Sequence, residues 1–198
     1  VAVIVPQLWF QDYTYEVQSQ DSYYKLDLPL KPLHPELSYM VRRAARELEV
    51  REGTFGKDHR RLVKDFISGH ELTEGHKLIF ERIAQYLKRS RAAQLLEARK
   101  GNTLVAFTIV DLGSANYAFY LFNFRLAEEH VPGASDLLFY KMVSLAQSNG
   151  KGIINLGLGI RPGIRRFKEK WGGIPFLPYT SALIRSQPFE MGTLIDKL

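Results

Sequence analysis

Between Ala93 and Gly159 the chain passes through three strand-like segments, one long apolar helix and a fourth, buried strand-like segment. No other feature constrains the fold as strongly. AQLLEARKG, TLVAFTIVDLG and YAFYLFNFR have strand length and composition, with Gly101-Asn102 as a hairpin turn and Gly113 to Asn116 as the next turn. GASDLLFYKMVSLAQSNG is the clearest helix: Gly133, Ala134 and Ser135 open it, and the glycine after Asn149 closes it. KGIINLGLG then reads as a buried strand. A meander followed by β-α-β implies an α+β fold with a mixed sheet.

The flanking segments extend this pattern. VAVIV (Val1 to Val5) before Pro6 reads as a strand. YTYEVQ and YYKLDLPL read as two more strands, the second ended by Pro29 and Pro32, in a stretch rich in aromatics that includes Trp9, Phe10 and Tyr13. In HPELSYMVRRAARELEV, Pro35 suits a first helical turn. Leu37, Met40, Val41, Ala44, Ala45 and Leu48 there recur at helical spacing, and Arg42, Arg43 and Arg46 occupy the other face. LEVREG suits a short strand. DHRRLVKDFISGHEL and EGHKLIFERIAQYLKRS suit two helices with Asp58 and Thr73 as N-caps. GIRRFKEKWG is a short helix and FLPYTSALI a last strand. Without repeats, low-complexity segments or a long linker, residues 1–198 read as a single domain, with Arg51 to Arg61 its weakest point. The chain opens on Val rather than Met, as a trimmed sequence would.

The absence of cysteine excludes disulfides, thiolate nucleophiles and cysteine metal sites. A net charge of +6 suits an anionic partner such as nucleic acid, a phosphorylated cofactor or an anionic surface, although many soluble proteins are this basic without one. No apolar run approaches the roughly 20 residues of a membrane span. VAVIV lacks the basic start and cleavage site of a signal peptide, so a cytoplasmic location is expected.

Several familiar chemistries are disfavoured by spacing. His34, His59, His70, His76 and His130 form no i, i+4 pair, and His70 and His76 suit surface or capping roles, so no metal site is expected. Ser135 lacks a G-x-S-x-G surround. GLGIRPG is neither a dinucleotide fingerprint nor a P-loop: the chain ends too soon for the first, and the Gly-Lys-Ser/Thr end of the second is missing.

Two features remain. Small residues at the Gly133 helix start would let an anion approach free backbone N–H groups, beside a strand carrying polar Asn123 in an aromatic run; Gly-Ala-Ser-Asp is equally a good N-cap. GIRRFKEKWG suggests an amphipathic helix with Ile164, Phe167 and Trp171 inward and Arg165, Arg166, Lys168 and Lys170 outward, free to meet phosphate or RNA.

ASDLLFYKMVSLAQSNGKGIINLGLG followed by GIRRFKEKWGG resembles the last part of the FemAB/FemX-like and BioF2/CelD-like branch of the GNAT superfamily. Those proteins share an apolar helix, a small-residue break, a strand and a GL-x-x-FK-x-x-[FW]-G motif, matched here by Phe167-Lys168 and Trp171-Gly172. YMVRRAARELEV is similar to an earlier helix of the same group. Two departures stand out. VPGASD keeps one glycine of the superfamily's usual acyl-CoA loop, and peptidoglycan-type members have two such domains where this chain has one.

The resemblance implies a GNAT-like (acyl-CoA N-acyltransferase) fold, with a mixed, mostly antiparallel central sheet flanked by helices and an acyl donor held where two central strands part. It implies an N-acyltransferase that moves an acyl group from acyl-CoA (acetyl-CoA or longer), or an aminoacyl group from aminoacyl-tRNA, to a small-molecule or peptide amine. YAFYLFNF would be the splayed strand. Backbone N–H groups from Tyr120 through Phe122 to Asn123 would hold the carbonyl oxygen, and Tyr120 would protonate the leaving group. Gly133, Ala134, Ser135 and Asp136 would bind pyrophosphate, and Lys168 or Arg165 would stabilise negative charge. No carboxylate stands out as a base. The alternatives are a non-catalytic module binding RNA or another polyanion through its basic face, and a homo-oligomer built on the aromatic N-terminal segment.

Overall fold

The computed structural model of the chain describes residues 2–8, 14–126 and 131–185. Trp9, Phe10, Tyr13 and His130 lie outside the described residues. The elements run β1 (Ala2–Val5), β2 (Thr14–Asp27), α1 (Pro35–Glu47), β3 (Glu49–Glu52), α2 (Lys57–Ser68), α3 (Glu74–Glu81), α4 (Ile83–Arg89), β4 (Ala93–Lys100), β5 (Thr103–Asp111), β6 (Tyr117–Arg125), α5 (Ala134–Ser148), β7 (Ile153–Leu158), α6 (Pro162–Lys170) and β8 (Ile174–Arg185). The strands form one sheet in the order β1-β8-β2-β7-β6-β5-β4-β3. Every neighbouring pair is antiparallel except β6 and β7. This is the α+β fold with a mixed sheet expected from the order of segments, and it is mostly antiparallel as the resemblance implies.

Two apolar cores lie on the two faces of the sheet. One joins Leu37, Val41 and Ala44 of α1 and Leu137, Leu138, Met142 and Val143 of α5 to Ala106, Val110, Ala118 and Ile154. The other joins Leu62 and Val63 of α2 and Ile83 of α4 to Phe107, Ile109 and Phe124. Because both faces are covered, TLVAFTIVD reads as a nearly continuous apolar run. Each large apolar side chain buried this way contributes about 1.5–3 kcal/mol. That anchors α5 firmly, whereas α3 buries no residue.

The structure departs from the sequence reading at several local points. YTYEVQ and YYKLDLPL belong to one long strand, β2, kinked rather than broken: an extra residue interrupts its register with β8 twice, between Val17 and Ser19 and between Tyr23 and Tyr24. The α2 helix starts after Gly56, whose N–H donates to His59 Nδ1 at 3.1 Å, so Asp58 lies in the first turn instead of at the cap. Thr73 does cap α3, accepting from the His76 N–H at 3.3 Å. EGHKLIFERIAQYLKRS breaks at Arg82 into α3 and α4.

Candidate functional site

Strands β6 and β7 run parallel, paired through Tyr117↔Ile153, Ala118↔Ile154 and Phe119↔Asn155, and no pairing continues beyond that point. Both strands carry an extra residue just past it. On β6, Val110 faces Tyr120 and Ile109 faces Phe122, so Leu121 opposes nothing on β5. On β7, Tyr24 faces Gly157 and Lys25 faces Asn155, so Leu156 opposes nothing on β2. Bulges bend a strand and sharpen its twist. Two bulges at one level part the strands and leave the facing edges of residues 120–125 and 156–158 without each other as partners.

The β6 bulge also reverses which side chains face which core. Tyr120 points toward α5, where its ring packs edge-on to Phe139 at 5.2 Å and parallel to Phe167 at 6.5 Å. The ring of Phe122 packs in the opposite core, against Phe80 and Phe124, and its backbone pairs with Ile109 of β5, away from the gap. Its carbonyl accepts from the Thr108 hydroxyl at 2.7 Å. Asn123 faces α5 again, and its Nδ2 donates to Ser135 Oγ at 2.9 Å. Asn123 Oδ1 is buried and has no hydrogen-bond partner among the described residues. Burial, with the nearby Asp136 carboxylate adding to it, pushes the Tyr120 phenol above its ordinary value, so it is protonated at neutral pH and able to donate.

At the start of α5, most side chains are committed to the fold. Gly133 has φ 84°, and a Cβ there would meet the Met40 carbonyl oxygen of α1 at 2.8 Å. Close packing of α1 on α5, as well as the left-handed turn, therefore demands glycine. Ala134 is buried. The Asp136 carboxylate, also buried, accepts from Trp171 Nε1 at 3.0 Å and pairs with Lys170 at 2.6 Å. The Ala134 N–H already donates to Val131 O at 3.2 Å, so what the first turn still offers a ligand is the N–H groups just after it, which in any α-helix lack intrahelical acceptors.

The short helix α6 differs most from its sequence reading. Ile164 is 38% exposed, and Lys168, expected outward, is 3% exposed. The inward face is Phe167, Lys168 and Trp171. Lysine is accommodated there because β7 leaves its partner and ends with a free carbonyl: Lys168 Nζ donates to Leu158 O at 2.5 Å. The ammonium also lies 5.5 Å from the centre of the Tyr24 ring. Burial holds it well below the ordinary lysine value, at about 8, partly opposed by the Asp21 carboxylate. Arg165 points away from the α5 start, its guanidinium 3.6 Å from Asp21 Oδ1.

No family model and no curated protein matches this chain. Solved structures do. A conserved protein of unknown function from Bacteroides thetaiotaomicron VPI-5482 superposes with a TM-score of 0.68 at 12% identity, over 88% of this chain and 63% of that one. A tandem GNAT protein from the clavulanic acid biosynthesis pathway gives 0.55 at 13% identity, over 85% and 54%. FemX gives 0.56 at 11% identity, over 87% and 63%. The chain thus spans less than two thirds of the length of each.

The chain has a GNAT-like fold. In this GNAT-like sheet the strands that part are β6, the YAFYLFNF strand, and β7. Around the parting the structure gathers Tyr120, Asn123 and Ser135, with Lys168 at the end of β7, while Phe122 faces β5 with its backbone and the opposite core with its ring. It ties Asp136 to Trp171 and turns Arg165 toward Asp21. Sequence reasoning missed Asp21 and Tyr24, which reach α6 from a strand some 140 residues upstream. No local pattern marks them, because β2 enters the sheet between β7 and β8 only through long-range pairing. Among the described residues, no group of three or more metal-ligating side chains could hold a metal ion, and no helix is long and apolar enough to cross a membrane.

Proposed function

We propose that this chain is a single-domain, FemX-like N-acyltransferase of the cytoplasm that passes an acyl or aminoacyl group from acyl-CoA or aminoacyl-tRNA to a small-molecule or peptide amine. The observation that carries the reading is the parting of β6 and β7 with a buried lysine at its edge. A gap of this kind offers unpaired backbone N–H groups to a carbonyl oxygen, and the orphaned Asn123 Oδ1 offers an acceptor beside them.

In the transfer, the acceptor amine forms a bond to the donor's carbonyl carbon, and the bond from that carbon to the leaving sulfur or oxygen breaks. Charge builds first on the carbonyl oxygen and then on the leaving group. Backbone N–H groups from Tyr120 to Asn123 meet the first. Tyr120, held protonated by burial, or the Lys168 ammonium meets the second. The proton lost by the amine balances the one gained by the leaving group. The turn of Gly133, Ala134, Ser135 and Asp136 offers a donor phosphate the positive end of α5 and its remaining backbone N–H groups, that of Ala134 being held by Val131 O. Arg165 would have to leave Asp21 to reach the donor, so Lys168 is the cation at the parting. Catalysis then rests chiefly on positioning.

Calorimetry with acetyl-CoA and longer acyl-CoAs, together with a transfer assay from aminoacyl-tRNA to amines, tests the reading. Saturable binding of one donor class, with transfer lost in Lys168→Ala while the fold is kept, is the expected result. No heat with any CoA and no transfer from charged tRNA would overturn it. Steeply salt-dependent RNA binding without transfer would point instead to a polyanion-binding module using Arg42, Arg43, Arg46 and their neighbours.

A further inference from the structure

The turn that joins β7 to α6 is held from outside by one carboxylate. Ile160 adopts φ 51°, a left-handed backbone that β-branched residues avoid, and it is the one such non-glycine position among the described residues. Its side chain is 63% exposed, so little packing compensates. Polar contacts to β2 hold the turn instead. Asp21 Oδ2 accepts from the Ile160 N–H at 2.6 Å, and the Gly159 N–H donates to Ser22 O at 3.3 Å. Asp21 Oδ1 accepts from the Ser22 N–H at 2.8 Å and faces Arg165 at 3.6 Å. Gly159 is pressed beneath this group, and a Cβ there would come within 2.8 Å of both Asp21 Oδ1 and Arg165 Nε. The residue just before the turn is Leu158, whose carbonyl receives Lys168.

We propose that Asp21 is a positioning residue of the candidate site: its carboxylate holds the Gly159–Arg161 turn in place, so that Leu158 presents its carbonyl to Lys168, and its negative charge offsets the burial of the Lys168 ammonium. An N-terminal strand thereby sets the state of a C-terminal lysine. The other ionisable groups around that ammonium are Tyr24 of β2, whose hydroxyl donates to Glu169 at 3.5 Å, and on α6 Arg165, Glu169 and the Lys170–Asp136 pair. Among them, Asp21 is the carboxylate whose field reaches Lys168 appreciably.

This role rests on Lys168 being the working group, yet it can be tested without substrate. The protein labelled with lysine carrying 13C at Cε would be titrated by NMR, the Lys168 signal being assigned by its loss in Lys168→Arg. The wild-type midpoint is expected near pH 8. Asp21→Asn keeps an oxygen for the Ile160 N–H but removes the charge, and should lower the midpoint by about one pH unit. Arg165→Gln strips Asp21 of its counter-ion and should raise it. An unmoved midpoint in Asp21→Asn, or a downward shift in Arg165→Gln, overturns the proposal. If Asp21→Asn does not fold, by circular dichroism, Arg165→Gln alone decides. Shifts as expected in a chain that transfers no acyl group from any donor would uphold the Asp21–Lys168 link and refute the transferase reading, so the two failures are distinct.

Discussion

Lys168 Nζ meets the Leu158 carbonyl oxygen at 2.5 Å, in a place where an ammonium is almost entirely removed from water. A buried cation with one carbonyl, one aromatic face and a distant carboxylate for company is costly to the fold. The fall from the ordinary lysine value of 10.5 to about 8 corresponds to roughly 3 kcal/mol at neutral pH.

Lys168→Met should therefore stabilise the protein at pH 7 while abolishing transfer. Loss of the bond to Leu158 O reduces the gain, so an increase of about 1–3 kcal/mol is expected from thermal or urea unfolding. Between about pH 8 and 10.5 the unfolded wild type binds more protons than the native state, so wild-type stability rises with pH through that window. The advantage of Lys168→Met should shrink over the same range. A variant less stable than wild type at pH 7 would contradict this.

If Lys168 acts as the cation, kcat should fall as pH rises through about 8. Arginine keeps its charge far above that pH. Lys168→Arg, even if slower through its bulk, should lose the alkaline limb of the pH–rate profile. A limb at the same pH in both proteins would assign it to another group.

His59 should make the fold acid-sensitive. It is 2% exposed, its Nδ1 accepts from the Gly56 N–H, and its Nε2 has no hydrogen-bond partner among the described residues, lying 3.5 Å from Glu97 Oε2. Burial lowers its pKa from 6.5, opposed by Glu97 and reinforced by Arg99. Protonating Nδ1 would also break the bond that starts α2. The unfolded chain takes up its proton first, so stability is kept above pH 6.5 and lost as pH falls below it. Melting temperatures from pH 7 to 5 should fall more steeply for wild type than for His59→Gln.

Gly133→Ala should cost about 2–4 kcal/mol, by adding a clash with the Met40 carbonyl to the left-handed penalty. Gly157→Ala, with φ 75° but nothing closer than Lys168 Nζ at 3.9 Å, should cost only about 1–2 kcal/mol. Chemical denaturation of the two variants compares them directly, and equal losses would mean that α1 can yield.

The candidate site was only half legible in the sequence. Tyr120, Asn123 and Lys168 could be picked out from the apolar strand and the FK-x-x-WG motif, and Ser135 from the helix start. Their surroundings could not. Helical spacing alone placed Ile164 inward and Lys168 outward. In the fold, the end of β7 and the ring of Tyr24 receive the lysine, and Ile164 is left in solvent. Likewise, strict alternation would set Tyr120 and Phe122 on one face, and a single unpaired residue, Leu121, separates them.

The sequence by itself determined the β4–β5–β6 meander, helix α5 and the strand that follows it, because hydrophobic periodicity, turn glycines and caps are local and are satisfied within each segment. Tertiary structure decided where β6 and β7 part, which strand lies between β7 and β8, and which lysine is buried. Those outcomes depend on register and on pairing between residues far apart in the chain, as in the contact of Asp21 with Ile160, and no window of sequence contains both partners.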